Sequence, residues 1–343
     1  MKNKAIIYPI TDRTIFLVDF LKYKYNVIPV EASGSGYCGK DLGYITGKSP
    51  VGIKVRNDLD NLISHSESLI ITNDFSNIKN HLDLYKQILK KKNKSLNIVM
   101  SHELSKILEP IEKTEVLFEK SYYKRIETPI IAVGGFIDDY VNTEIVINLY
   151  MRLREEYSVA AVIKESEAEI IGLDYWNPII YDVHKSENEK ILYFNNKIHD
   201  LEEKKTPDII IIQIPGGLMR INEKWNNDFG IYYYFISQAM GIDFFICSVL
   251  NEFNNNLLLQ KVNDNIAGKY NINLDIINIS NKIVDWDTED YKNELSFCYQ
   301  DIRMMDNNFP KNDFCFVNVK RNEKDYDKIL AKLKNMLEEN DSE

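Results

Sequence analysis

Short apolar runs alternate along this chain with amphipathic stretches of helical length. That alternation predicts parallel sheets covered by helices. It is clearest from Thr128 to Glu165, where the apolar run IIAVGG is followed by the helix-period segment NTEIVINLYMRLREEY and then by the apolar run VAAVI. This reads as a βαβ unit. Upstream, Lys4 to Ile10, NVIPVE (26–31), VGIKV (51–55), SLIITND (68–74) and LNIVMS (96–101) read as strands. The helices between them are expected at TIFLVDFLKYKY, with Asp12 and Thr14 as caps, from Asn77 to Lys91, and at ELSKILEPIEK.

Downstream, the helical stretch NEKILYFNNKIHDLEEKKT leads to the strand Asp208 to Ile214, DIIIIQI, which ends in Pro215-Gly216-Gly217. A helix from Ile231 to Met240 and the strand FFICSV follow, then the strands NLDIINISNKIVD and FCFVNV, and a closing helix from Glu323 to Leu337. The pattern gives an α/β protein of two Rossmann-like three-layer domains with mainly parallel sheets. Residues 1–118 form a flavodoxin-like domain carrying a Gly-rich loop at 33–49, residues 127–337 form the second domain, and 338–343 form a frayed tail.

The turn of the βαβ unit stands where a phosphate loop would stand. A Walker A loop needs GxxxxGK[ST], its glycines turning N–H groups inward and its Lys meeting the phosphates. Aligned on Thr143, the chain has Phe136 and Val141 for the glycines and Asn142 for the Lys. Gly134 and Gly135 precede the loop, and Asp138 and Asp139 add negative charge where phosphates would lie. PDIIIIQIPGG resembles the Walker B strand and glycine switch of P-loop proteins of the signal-recognition and MinD-like class. There an acidic residue normally ends the strand; here Gln213 and Ile214 take its place, before Gly216 and Gly217. The second domain is therefore expected to be a degenerate P-loop domain that hydrolyses no nucleotide. The rival is an enzyme using ATP or GTP with Mg²⁺, in which Thr143 holds the metal and Lys164 or Lys48 the phosphates.

In the first domain, GYITGKS (43–49) contains GKS but has Leu42 at the first glycine position and runs into Ser49-Pro50 and an expected strand. The P-loop reading fails on that context. Gly36, Tyr37, Cys38, Gly39, Lys40, Asp41 and Lys48 are instead candidates for a peptide- or partner-binding loop at the carboxyl edge of the sheet. Cys38, between glycines and beside Lys40, is the most reactive-looking thiol, and a redox or acyl-transfer role for it is a third reading.

Composition narrows the rest. The chain has 343 residues, with 42 Lys and Arg against 52 Asp and Glu for a net charge of −10. A net-acidic chain with no basic stripe is a poor partner for nucleic acid. Its 4 cysteines form no CxxC pair, which suits a reduced, cytoplasmic protein, and Cys247 and Cys315 lie in apolar runs. Its 5 histidines have no metal-ligand spacing. IYYYFISQAMGIDFFICSVL is broken by Ser237, Gln238, Gly241 and Asp243, so it reads as core and not as a membrane span. Asp228-Phe229-Gly230 copies a kinase triplet without the other kinase signatures. The acidic run IVDWDTED lacks the ligand spacing of a calcium loop.

The segments SGYCGKDLGYITGKSPVGIKV, IIAVGGF with NTEIVINLYMRLREEY, and PDIIIIQIPGG resemble clostridial proteins of a peptide maturation system, encoded beside radical-SAM enzymes that modify ribosomally made peptides. The resemblance implies an accessory or tailoring role, with a precursor peptide and a modifying, radical-SAM enzyme as partners. It carries no catalytic residue over. Homo- or hetero-oligomers are left open.

Overall fold

A computed structural model describes residues 2–47, 49–72, 86–88, 96–101, 104, 122–176, 178–287, 296–303, 305, 314–320 and 322–340. The chain divides into two compact units: Met1–Phe118 with Glu165–Trp176, and Glu119–Lys164 with Asn177–Glu343.

The first unit is built on β1 (Lys4–Tyr8), α1 (Ile15–Leu21), β2 (Asn26–Pro29), α2 (Leu59–Ile63), β3 (Ser68–Ile71) and β4 (Asn97–Met100). Its sheet has the order β2-β1-β3-β4, every neighbour parallel. Ile6, Tyr8, Val30, Leu69 and Ile71 form its core with Leu62, Ile63 and Leu104. The first helix is shorter than its apolar period suggests. A 3-10 turn at Asp12–Thr14 precedes it, with Thr14 donating back to the Thr11 carbonyl and accepting from the Thr11 N–H. VGIKV is not a strand: it makes the single bridge Asp41–Lys54, with Val30–Arg56 just beyond it, and Gly52, at φ +78°, interrupts extension. The helices expected at 77–91 and 103–113 lie largely outside the described residues.

The second unit begins with β5 (Ile130–Gly135), α3 (Tyr140–Leu153) and β6 (Val159–Ile163). The next segment, Glu165–Trp176, belongs to the first unit, although the sequence pattern runs it into the second domain. It carries a 3-10 turn (Ser166–Ile171) and the two-residue β7 (Asp174–Tyr175). Ala168 is fully buried and the Ser166 hydroxyl donates to Ser101, so apolar burial and a buried hydrogen bond hold it there.

The second unit resumes with α4 (Glu187–Lys205), β8 (Ile209–Gln213), α5 (Ile231–Ala239), β9 (Phe244–Leu250) and α6 (Asn256–Tyr270). It closes with β10 (Ile276–Ser280), the antiparallel pair β11 (Lys282–Val284) and β12 (Phe297–Tyr299), β13 (Cys315–Val317) and α7 (Asp325–Asn340). Helix α7 runs through residues 338–340, so the frayed tail expected at 338–343 is helical in its first half. Capping explains the sharpest boundaries. The Ser186 hydroxyl accepts from the Glu189 N–H while the Glu189 carboxylate accepts from the Ser186 N–H, and Asn255 caps α6 by accepting from Leu257 and Leu258.

Six strands of the large sheet lie in the order β13-β10-β9-β5-β8-β6, and their pairings are parallel. Numbered along the chain, this is the order 6-5-4-1-3-2, with the third strand inserted between the first and second. Strands β5, β8, β9 and β10 are buried along their whole length, which is why they read as unbroken apolar runs. Among the described residues no helix is long and apolar enough to cross a membrane.

Candidate functional site

The Gly-rich loop of the first unit is wound around two carboxylates. Glu31, 7% exposed, accepts from the backbone N–H groups of Tyr37 and Cys38 at 2.6 and 3.0 Å, and from the Ser35 hydroxyl. Asp41 accepts from Gly43, Val51 and Gly52 at 2.9, 2.8 and 2.8 Å. Burial raises the Asp41 carboxyl, but these three N–H donors and Lys54 outweigh it and leave it below the usual aspartate range. Inward-turned N–H groups of the kind that hold a ligand anion are thus satisfied by the chain itself. Gly36 and Gly39 have φ of +75° and +76°, and Lys40 lies over the Tyr44 ring at 4.3 Å. Cys38 is exposed, and burial raises the Tyr37 phenol. Lys48 lies outside the described residues.

In the second unit the supposed phosphate loop is also closed on itself. Gly134 and Gly135 are not in a turn: they end strand β5, opposite Cys247 and Ser248. A Cβ on Gly134 would sit 2.2 Å from the Tyr233 hydroxyl, so glycine is required there for ring packing. The Gly135 N–H donates to that hydroxyl and the Phe136 N–H to the Ser248 carbonyl. Asp139 caps α3, its carboxylate accepting from Val141 at 3.4 Å and from Ser280 at 2.7 Å, with Lys282 Nζ 3.5 Å away. A carboxylate of the protein therefore occupies the positive end of the helix. Asn142, at the Walker Lys position, is fully buried, and neither atom of its amide has a hydrogen-bond partner among the described residues. Near it, Glu144 forms a buried ion pair with Lys320, whose Nζ lies over the Tyr140 ring at 4.7 Å.

Three of the sequence candidates do converge. The Thr143 hydroxyl donates to Gln213 Oε1 at 3.2 Å, and the Lys164 N–H donates to the same oxygen at 3.1 Å. Gln213 thus ties α3 to the end of β6. The Lys164 side chain, 11% exposed, forms an ion pair with Asp138.

Within electrostatic reach of that pair is the triplet that the sequence offers only as a kinase-like coincidence. Asn227, Asp228, Phe229 and Gly230 have φ of +47°, +59°, +53° and +74°, a complete left-handed turn. Such a conformation costs roughly 1–2 kcal/mol per non-glycine residue, and least for Asn and Asp. Asn227 secures it by donating from its amide to the Phe136 and Met219 carbonyls. The turn brings Asp228 Oδ2 to 3.0 Å, and the Tyr232 ring to 2.8 Å, from where a Gly216 Cβ would be. Gly216 itself has φ +71°, and a Gly217 Cβ would lie 2.0 Å from the Asn227 amide. Both glycines of the supposed switch are therefore packing glycines in this arrangement. Burial and the nearby Asp138 raise the Asp228 carboxyl, with Lys164 opposing. Burial, Asp228 and Asp138 push the Tyr232 phenol up to about 12. The signal available in the sequence is Asn227, Asp228 and Gly230, residues tolerant of left-handed backbone, although Phe229 between them is not.

On α4, His199, Asp200 and Glu203 bring ligand-type atoms within 4.8 Å of one another. His199 Nδ1 lies 3.6 Å from Glu203, and Asp200 forms ion pairs with Lys204 at 3.5 Å and Lys124 at 3.9 Å.

At the carboxyl ends of the strands, where open α/β sheets carry their ligands, Asp228 and Tyr232 thus pack at Gly216 after β8, and the Asp138–Lys164 pair follows β5 and β6 within their electrostatic reach. No protein-family model and no curated protein matches the chain. Among solved structures it is similar to a DUF1611 family protein from Anabaena variabilis, at 9% identity over 81% of this chain and 88% of that one, TM-score 0.48. It is also similar to an apo-form GTPase from Pyrococcus abyssi, at 17% identity over 44% of this chain and 66% of that one, TM-score 0.29.

Proposed function

We propose that this protein acts by binding, as an accessory component in the maturation of a ribosomally synthesised, post-translationally modified peptide, and that it hydrolyses no nucleotide. One observation carries the non-hydrolysing half of the reading: Asp139 occupies the α3 N-terminus that a phosphate would need. The Thr143 hydroxyl, which would hold Mg²⁺, is engaged by Gln213, and a buried amide stands at the Lys position. The peptide half is supported by the sequence resemblance, which implies a precursor peptide and a radical-SAM modifying enzyme as partners.

The experiment is calorimetry of the purified protein with ATP and with GTP, each with and without Mg²⁺, followed by titration of the precursor peptide and the modifying enzyme. The expected result is heat of binding with peptide or enzyme and none with nucleotide. Silence toward both partners overturns the accessory reading. A second reading, a nucleotide-dependent activating enzyme, is favoured by the meeting of Thr143 and Lys164 at Gln213. It requires Mg²⁺-dependent nucleotide binding that Thr143→Ala abolishes in a folded protein.

A further inference from the structure

Helix α5 begins at Ile231, and the four residues before it, Asn227 to Gly230, all have positive φ. Its cap residue is Gly230, and no side chain among the described residues caps it. The N–H groups of Tyr232 and Tyr233 have Asp228 and Phe229 as their i−4 carbonyls, and these lie in the left-handed turn, outside the helix. Turned to right-handed φ, the same four residues would lengthen α5 by about one turn. The residues suit that state. Asn226 is a favoured capping type, Asp228 would place an acid in the first turn, and Gly230 takes either sign of φ.

The left-handed state is held from few points. Asn227 donates from its amide to the Phe136 and Met219 carbonyls. Gly216 and Gly217 leave room for the turn, since a Cβ on either would lie within 3.0 Å of Asp228, Tyr232 or Asn227. Phe229 works against it. At φ +53° a bulky residue is strained, and its side chain, 65% exposed, buries little to offset that strain. Such strain persists only where the surroundings over-determine it, and it collects in elements that switch. Here the main determinant is one amide.

We propose that residues 227–230 are a two-state switch at the carboxyl edge of the large sheet. Latched by Asn227, they form the left-handed turn that packs on Gly216 and Gly217; released, they join α5 and uncover those two glycines. The acceptors of the latch are backbone carbonyls. An N–H donor that binds the Phe136 and Met219 carbonyls, such as a peptide backbone, competes with Asn227 and favours the released state. The switch is a property of this chain alone and does not depend on the accessory reading.

The test is hydrogen exchange of the full chain, resolved at the Tyr232 and Tyr233 amides, with far-UV circular dichroism alongside. Wild type, Asn227→Ala, and Asn227→Ala combined with Phe229→Gly are compared. Ala removes the two donors of the latch. Gly tolerates positive φ and is a poor helix former, so it restores the left-handed preference without the latch. The expected result in Asn227→Ala is a gain of helical signal and exchange slowed about fivefold or more at both amides, the scale of one backbone hydrogen bond gained. In the double variant both readings return to wild-type values. Exchange that is unchanged or faster in folded Asn227→Ala overturns the switch, because a merely structural turn loosens when its bonds are removed. Slowing that survives Phe229→Gly overturns it as well, since the handedness of the turn is then not its source. Should Asn227→Ala not fold, Asn227→Asp removes the same donors while keeping the shape and the tolerance of left-handed φ. If neither folds, the latched turn is the only state and the switch is overturned.

Discussion

Tyr233 closes on Gly135 from both sides of the residue: its hydroxyl accepts from the Gly135 N–H at 2.7 Å and donates to the Gly135 carbonyl at 3.1 Å. The ring is fully buried against Phe245 and Tyr270, and it reaches the strand because Gly134 presents no side chain. A turn of α5 is thereby locked onto the last residue of β5, at the point where the strand would otherwise open into a ligand loop.

Removing that hydroxyl leaves a buried N–H without its partner. Tyr233→Phe is expected to lower stability by about 1–3 kcal/mol, read from urea denaturation. Gly134→Ala forces a methyl against the same oxygen, 2.2 Å away, and is expected to cost at least as much through overpacking. A Gly134→Ala variant as stable as wild type would show that the close approach is not what the glycine is for.

Asp228 gives a pH signature. Burial, reinforced by Asp138 and opposed by Lys164, raises its carboxyl above the ordinary value. A raised carboxyl pKa means the folded state disfavours the ionised form. The associated penalty is therefore absent at acid pH, develops as pH rises through the unfolded value near ~4, and is full once pH exceeds the folded value. Asp228→Asn is expected to raise the melting temperature at neutral pH, and the gain is expected to shrink toward zero below about pH 4. A gain that persists unchanged in acid would place its origin in the turn and not in the charge.

Much of the fold is legible because its signals are local. The apolar runs of β5, β8 and β9 announce strands buried on both faces, and the helical stretch NEKILYFNNKIHDLEEKKT announces α4. Helix α6 escapes the sequence pattern although Asn255 carries its cap, since its apolar positions are interrupted by polar ones. The site is less legible. Gly134, Gly135, Gly216 and Gly217 read as ligand glycines in the sequence, yet their neighbours are Tyr233, Ser248, Tyr232 and Asn227. Tyr233 is 98 residues from the Gly135 it binds, so no local pattern names it. Asp228 reads as part of a chance kinase-like triplet, because its meaning lies in a left-handed turn that only the folded chain displays.

Glu144 and Lys320 form an ion pair with side chains 7% and 1% exposed. The pair joins the N-terminal part of α3 to the segment that follows β13. Lys320→Met leaves a buried carboxylate with its counter-charge removed and is expected to destabilise the protein by about 3–5 kcal/mol. The double change Glu144→Leu with Lys320→Met removes both charges and is expected to recover most of that loss. A double variant no more stable than the single one would mean that packing against Tyr140, and not charge, is the main contribution of Lys320.

Asp41 organises the Gly-rich loop, and its carboxyl lies below the usual range because three backbone N–H groups and Lys54 favour the charged form over the cost of burial. For a depressed carboxyl the stabilisation is complete above the unfolded pKa, near ~4, and is lost as pH falls through the folded value. Asp41→Asn keeps the shape but removes the charge that the N–H groups of Gly43, Val51 and Gly52 share. Hydrogen exchange at these three amides is expected to quicken by about tenfold or more in the variant at neutral pH, the scale of one or more charge-assisted hydrogen bonds. In wild type the same amides lose protection as pH is lowered below the unfolded value, after correction for intrinsic exchange. Equal protection in both proteins at neutral pH would mean that the glycine turns hold the loop without the carboxylate, and that Asp41 is free to meet a ligand.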